Sequence, residues 1–194
     1  VNKIFIRCPR TLRWRHFEKP SEVFTARNLN EVGPLISKVE KLANERESYA
    51  VGFVSYEASS AFNPDMVTCD GSKFPLACFA LFNDYVMLSE LSQSTKKEAP
   101  IWNGSLDIGN YIQDIASIKK LIERGDIYQI NYTTQFNTNL KQPMDFFCDL
   151  VTDEPYACYI DTNQFQILSA SPELFFRLDG DEILTRPMKG TAPR

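Results

Sequence analysis

Histidine is almost missing from this chain. His16 is the single copy, so any Ser-His or Cys-His device would have to be built on it. Its setting, Trp14-Arg15-His16-Phe17, alternates as a strand does, and an ordinary strand histidine is expected. Cysteine is scarce and odd in number: Cys8, Cys69, Cys78, Cys148 and Cys158, with no C-x-x-C pair. Neither a disulfide framework nor a zinc site is indicated. Most of the thiols are expected to be small buried hydrophobes in a reducing compartment, the cytoplasm. No apolar run of about 18 residues occurs, so no spanning helix and no membrane partner is expected. The first fifteen residues mix apolar and basic side chains and lack the apolar core of a secretory signal. Basic excess is missing too. The net charge is −4, which excludes a typical nucleic-acid surface. The chain opens on Val1 rather than Met, which fits a processed or internal starting point.

What is present suffices for a core: 43% of the 194 residues are hydrophobic. Residues 3–8 and 12–17 read as two short strands around Pro9-Arg10, and 22–26 as a third. Asn30 is placed as the cap of a helix running to Arg46. Val32, Leu35, Ile36, Val39 and Leu42 fall on one face, and Pro34 is taken to sit in the first turn. Residues 49–56 form a strand and Glu57-Ala58-Ser59-Ser60 a turn or helix start. Residues 76–82 and 85–91 read as a hairpin across Asn83-Asp84. A polar stretch, 96–106, is the expected linker between an N-terminal part, 1–95, and a second part, 107–194. That part opens with a helix bearing Ile108, Ile112, Ile115, Ile118, Leu121 and Ile122 on one face, ended by Gly125. Residues 126–140 read as a long polar strand, 144–151 as a helix, and 156–161 and 165–170 as strands. This mixed order gives an α+β fold with mostly antiparallel sheets flanked by helices.

The last stretch carries the chemistry. Arg186-Pro187-Met188-Lys189-Gly190-Thr191-Ala192-Pro193-Arg194 reads as a loop. Two prolines stiffen it, and Gly190 leaves the backbone bare beside an amine, which suits close approach of a ligand. Ahead of it, Asp179-Gly180 signals a two-residue hairpin. Taken as the loop, that pair sets Arg177 against Glu182, Phe175 against Leu184 and Glu173 against Arg186. Glu173 then stands roughly 10 Å along the strand from Lys189. A cross-strand ion pair with Arg186 is the plainer reading of Glu173. A free lysine is neutral in only about one copy in a thousand near neutral pH, so a nucleophilic one needs burial or neighbouring cations. Arg186 and Arg194 supply cations, and either could hold a substrate carboxylate.

Four motifs then carry a resemblance. They are Gly52-Phe53-Val54-Ser55-Tyr56-Glu57-Ala58, Gly125-Asp126-Ile127-Tyr128-Gln129-Ile130-Asn131, Ser169-Ala170-Ser171-Pro172-Glu173, and the closing stretch from Thr185 to Arg194. In order and spacing the chain resembles the chorismate-utilising enzymes, and among them the aminodeoxychorismate synthase component I family. The resemblance implies an anthranilate synthase component I-like fold, incomplete here, because the chain matches the first half or less of a family member. It implies that Lys189 attacks C2 of chorismate and expels the C4 hydroxyl. Ammonia then adds at C4 and the lysine leaves. Glu173 matches the general acid/base, and Gly190 and Thr191 match positions that contact chorismate. Anthranilate synthases carry alanine where Lys189 stands. Pro155-Tyr156-Ala157 matches a segment that binds tryptophan in some relatives, although no serine around Arg10 to Arg15 completes that pocket. The Mg²⁺ ligands of the family lie in its later half, so no metal ligand is assigned in this chain. A glutamine amidotransferase subunit is implied as the ammonia source, and folate synthesis as the purpose.

Two alternatives stay open at this point. One is an anthranilate or isochorismate/salicylate-type synthase. The other is a truncated, non-catalytic ligand-binding fragment.

Overall fold

The computed structural model describes residues 1–69, 74–92, 100–104 and 107–188. The elements run β1 (Lys3–Arg7), β2 (Trp14–Glu18), β3 (Glu22–Ala26), α1 (Leu29–Glu45), β4 (Tyr49–Val54), a 3₁₀ turn (Tyr56–Ala61), β5 (Ala77–Phe82) and β6 (Val86–Leu88). They continue with β7 (Asn103–Gly104), α2 (Ile108–Glu123), β8 (Phe136–Asn137), α3 (Pro143–Leu150), β9 (Cys158–Asp161), β10 (Gln166–Ser169), β11 (Leu174–Asp179) and β12 (Glu182–Arg186). The architecture is α+β, and all its strand pairs are antiparallel.

The chain divides into two compact units. One is 1–93 with 143–194, the other 94–142. In the first unit a five-stranded sheet has the order β10-β9-β1-β2-β6, and a three-stranded sheet the order β3-β5-β4. The five-stranded sheet therefore draws strands from both sides of the polar 96–106 stretch. Alternation explains the layering. Ile4, Phe17 and Ile160 from the larger sheet meet Val51, Ala80 and Phe82 from the smaller. On the far side of the larger sheet, Phe5, Trp14 and Tyr159 pack with Phe147 of α3 and with Ala157. On the far side of the smaller sheet, Ala26 and Ala77 pack under Val32 of α1 and Ala58 of the 3₁₀ turn. Gly52 is obligatory here: a Cβ on it would stand 2.0 Å from the Cys78 carbonyl oxygen.

Several sequence expectations need correction. Helix α1 is capped by Asn28, not Asn30, because Glu31 reaches back and accepts from the Asn28 N–H at 3.1 Å and the Arg27 N–H at 2.9 Å. Pro34 thus falls in the second turn, where it gives the Asn30 carbonyl no helical donor. Strands β5 and β6 form no hairpin. Both edges of β5 are taken by β3 and β4, so the chain crosses at Asn83-Asp84 to pair β6 with β2.

The long strand expected over 126–140 is not formed among the described residues. Only Phe136–Asn137 pairs, with Asn103–Gly104. No other strand of the described residues offers donors and acceptors to 127–135, and Tyr128 is 93% exposed. Within this second unit α2 begins on Asp107, whose carboxylate accepts from the Gly109 N–H at 3.0 Å, and Gly125 follows it at φ +77°. Its apolar face is formed as expected but has no fully buried residue.

The closing hairpin exists with a different register. Asp179 pairs with Glu182, Leu178 with Ile183, Arg177 with Leu184 and Leu174 with Arg186, with an irregularity between Leu174 and Arg177. The loop is Gly180-Asp181, because Gly180 takes the positive φ, +58°, at the first central position. A glycine-first loop satisfies hairpin twist as well as Asp-Gly does, and it wins here.

Candidate active-site segment

The segment from Ser169 to Glu173 leaves the end of β10 and enters β11. Its shape is local hydrogen bonding. The Ser171 hydroxyl donates to the Glu173 carbonyl at 3.1 Å and accepts from the Glu173 N–H at 3.4 Å, the serine turn expected before a strand. Pro172 contributes no donor and stiffens the bend. The Ser171 carbonyl accepts from the Tyr156 N–H at 3.2 Å. Two stretches singled out in the sequence, Ser171-Pro172-Glu173 and Pro155-Tyr156-Ala157, are thereby stitched together.

Pro155 and Tyr156 form a turn ahead of β9, rather than the start of the strand itself. Ala157 is fully buried among Phe5, Trp14, Phe147 and Tyr159. Its carbonyl accepts from the Arg7 N–H at 2.9 Å. The Arg7 guanidinium donates to the Thr152 carbonyl at 2.9 Å and to the Leu12 carbonyl at 3.3 Å. It also lies 5.5 Å from the Trp14 ring centroid. The arginine holds the 152–157 turn to the sheet. Backbone N–H groups at Glu154 itself and at Thr152 hold the Glu154 carboxyl below the usual range.

Glu173 is exposed, at the hairpin end where Arg186 delivers the chain toward Lys189. Leu174, not Glu173, stands opposite Arg186, so the anticipated Glu173–Arg186 cross-strand pair is replaced. The physical reason is the shifted loop together with the irregularity between Leu174 and Arg177. Lys189, Gly190 and Thr191 lie outside the described residues. A groove of about 480 Å³ lies on the same unit, lined by Arg7, Leu12, Trp14, Glu90, Cys148 and Val151 among others. None of Pro155, Tyr156, Ala157 or Glu173 lines it. Among the described residues no group of three or more His, Cys, Asp or Glu converges as a metal site would.

Two titratable groups stand out. His16 is a strand residue, as expected. Its ring stacks on Phe5 at 4.3 Å and 12°. Nε2 lies 3.1 Å from a Glu18 carboxylate oxygen but off the hydrogen-bond direction. Burial pushes its pKa down, against the pull of Glu18. Cys8 was not anticipated. It sits in the β1–β2 connection, where the Thr11 hydroxyl and the Arg10 and Thr11 backbone bring its thiol down to about 7. Of the five cysteines only Cys78 is buried; Cys69 is exposed and the others are half-buried. The expectation that most of the thiols are buried therefore gives way. Nothing in spacing marks Cys8, because the donors that stabilise its thiolate come from the fold of the turn.

A profile described as chorismate binding enzyme matches residues 90–194. The aminodeoxychorismate synthase component 1 of Bacillus subtilis is 28% identical over 187 residues, covering 75% of this chain and 40% of that protein. Its Escherichia coli counterpart is 31% identical over 96 residues, 48% of this chain and 21% of that protein. The anthranilate synthase component 1 of Thermus thermophilus is 33% identical over 87 residues, 43% of this chain and 19% of that protein. The chain thus spans two fifths or less of each of these relatives. No solved structure matches it significantly. No helix among the described residues is long and apolar enough to cross a membrane.

Proposed function

The chain belongs to the chorismate binding enzyme family, and from that premise we propose that it is part of an aminodeoxychorismate synthase component I. The intact protein would convert chorismate and ammonia to 4-amino-4-deoxychorismate for folate synthesis in the cytoplasm. A glutamine amidotransferase subunit would supply the ammonia. Relatives of both the aminodeoxychorismate and anthranilate types match the chain. The observation that favours the first is Lys189 in Pro187-Met188-Lys189-Gly190-Thr191. An alanine there, as in anthranilate synthases, could not act as a nucleophile.

In this reading the Lys189 amine attacks C2 of chorismate, and the C4 hydroxyl departs as water after protonation. Glu173, at the hairpin end that leads toward the lysine, is the acid that delivers that proton. Gly190 and Thr191 contact the substrate. Protonation of a poor leaving group is the step a carboxylic acid accelerates. Expelling water leaves C4 electrophilic for ammonia, and the amine then departs from C2. Magnesium would offset charge on the substrate carboxylates. Its ligands are assigned to the remainder of the family length. By the same token the 194-residue chain alone is proposed to be inactive. Pro155, Tyr156 and Ala157 remain a candidate tryptophan-contacting turn, offered as a proposal only.

The test is product analysis on the protein carrying the full family length, supplied with chorismate, ammonia and Mg²⁺. Aminodeoxychorismate as the product, lost in Lys189→Ala, supports the assignment. Anthranilate, or a Lys189→Ala variant of undiminished rate, overturns it.

A further inference from the structure

Arg7 closes strand β1, and its backbone belongs to the sheet. Its N–H donates to the Ala157 carbonyl at 2.9 Å, one step beyond the register in which Ile6 faces Cys158. The Tyr156 N–H donates in turn to the Ser171 carbonyl at 3.2 Å, continuing the register in which Cys158 faces Ser169. Three segments are therefore laid side by side where the sheet ends: the end of β1, the turn ahead of β9, and the chain leaving β10. Arg7 stands two strand spacings, roughly 10 Å, from the Ser171-Pro172-Glu173 bend. All three segments belong to the same compact unit.

The arginine side chain clamps the middle segment. Its Nη1 donates to the Thr152 carbonyl at 2.9 Å and reaches the Glu154 carbonyl at 3.5 Å, while Nε donates to the Leu12 carbonyl at 3.3 Å. The guanidinium also lies 5.5 Å from the ring centroid of buried Trp14. One planar group thus holds carbonyls on two loops, with donors fixed in direction. A lysine ammonium keeps the charge but has no such fork. The turn is ordered from within as well. The Thr152 N–H donates to the Glu154 carboxylate at 2.7 Å, and the Ala157 N–H to the Glu154 carbonyl at 3.4 Å. Held on both sides, the turn aims the Tyr156 N–H in one direction, at the Ser171 carbonyl. Beyond that carbonyl, the Ser171 hydroxyl is bonded to both the N–H and the carbonyl of Glu173 and fixes the backbone that carries the acid.

We propose that Arg7 is a positioning residue for Glu173, acting through the 152–157 turn and the Ser171 bend. The proposal rests on the reading of Glu173 as the acid that protonates the C4 hydroxyl. A general acid works only at hydrogen-bond reach, and a remote change that shifts it by about 1 Å can cost about a hundredfold in rate. Arg7 lies outside residues 90–194, which the chorismate binding profile matches. Its role ties the N-terminal strand to the reaction and not to folding alone.

The test is steady-state kinetics on the protein carrying the full family length, with chorismate, ammonia and Mg²⁺, each rate expressed per folded molecule. Arg7→Lys keeps the charge and most of the stem, and is expected to lower kcat about tenfold with KM for chorismate unchanged. Ser171→Ala breaks the same link from its other end and is expected to do likewise, which also serves if Arg7→Lys fails to fold. Ser171→Thr keeps the hydroxyl and restores the rate. Because both changes cut one link, Arg7→Lys with Ser171→Ala should lose about tenfold in all, where independent losses would multiply to about a hundredfold. Arg13→Lys is the control: this arginine of the same connection reaches the Met87 carbonyl instead, and kcat should stay at the wild-type value. An Arg7→Lys kcat within about twofold of wild type, a loss that appears in KM instead, or losses that multiply in the double variant overturn the proposal alone. Glu173→Gln at the wild-type rate overturns the reading of Glu173, and the proposal with it.

Discussion

Adding one carbon atom to Gly52 should cost more stability than its size suggests. The new Cβ would stand 2.0 Å from the Cys78 carbonyl oxygen and 2.7 Å from the Phe79 Cα. Both neighbours are backbone of β5, the central strand of its sheet, so no side chain can swing aside to make room. Relief requires β4 to move away from β5, which lengthens their ladder and disturbs the packing of Val51 against Ala80 and Phe82. Overpacking of this kind costs about 1–3 kcal/mol, and a clash with backbone belongs at or above the top of that range. For a chain of this length about 3 kcal/mol lowers Tm by roughly 6–12 °C. Thermal unfolding of Gly52→Ala, followed by circular dichroism together with a urea midpoint, reads the effect. A variant within about 2 °C of the wild type would refute the claimed β4–β5 approach.

Other expectations follow from the same geometry. Phe147→Ala removes a fully buried ring in edge contact with Trp14 at 5.6 Å and should lower the unfolding free energy by about 3–5 kcal/mol. A urea titration checks it, and a loss under about 1 kcal/mol would contradict the role of α3 in the core. His16 has its folded pKa depressed below 6.5 by burial. Between that folded value and 6.5 the unfolded chain binds more protons, so the His16 contribution to stability should fall as pH drops below 6.5 and be constant above it. His16→Gln should flatten this part of the profile; an unchanged slope would argue against it. Cys8, with a pKa of about 7, should be alkylated at half its maximal rate near that pH. Thr11→Ala should move the midpoint up toward the ordinary 9.0. Peptide mass spectrometry of iodoacetamide-treated protein distinguishes that from a midpoint already at the ordinary value.

Much of the architecture is legible in local pattern. Val32 and Val39 of α1 are buried on the face their spacing defines, and Ile4 and Phe17 alternate inward as strand residues should. What fails is whatever depends on long-range competition. Strands β5 and β6 look like hairpin arms, yet β5 already has two partners. Asp179-Gly180 is a good loop, yet Gly180-Asp181 is equally good, and only the flanking register decides. Residues 126–135 have strand-like composition, but composition supplies no neighbour to pair with. Asn28 and Asn30 are equivalent as letters; Glu31 selects the first by its reach.

The candidate site divides similarly. Glu173 and Pro155-Tyr156-Ala157 are visible as motifs. The Tyr156 N–H bond to the Ser171 carbonyl that joins their neighbourhoods, at 3.2 Å, spans chain separations no pattern encodes. Cys8 is invisible in sequence, because its thiol is tuned by donors in a turn.

The most direct test of the lysine assignment is peptide mass spectrometry of the full-length protein held with chorismate and Mg²⁺ but without ammonia. The account predicts that the peptide containing Lys189 gains the mass of chorismate less one water, and that Lys189→Ala gains nothing. Turnover to product with Lys189 unmodified throughout would contradict it.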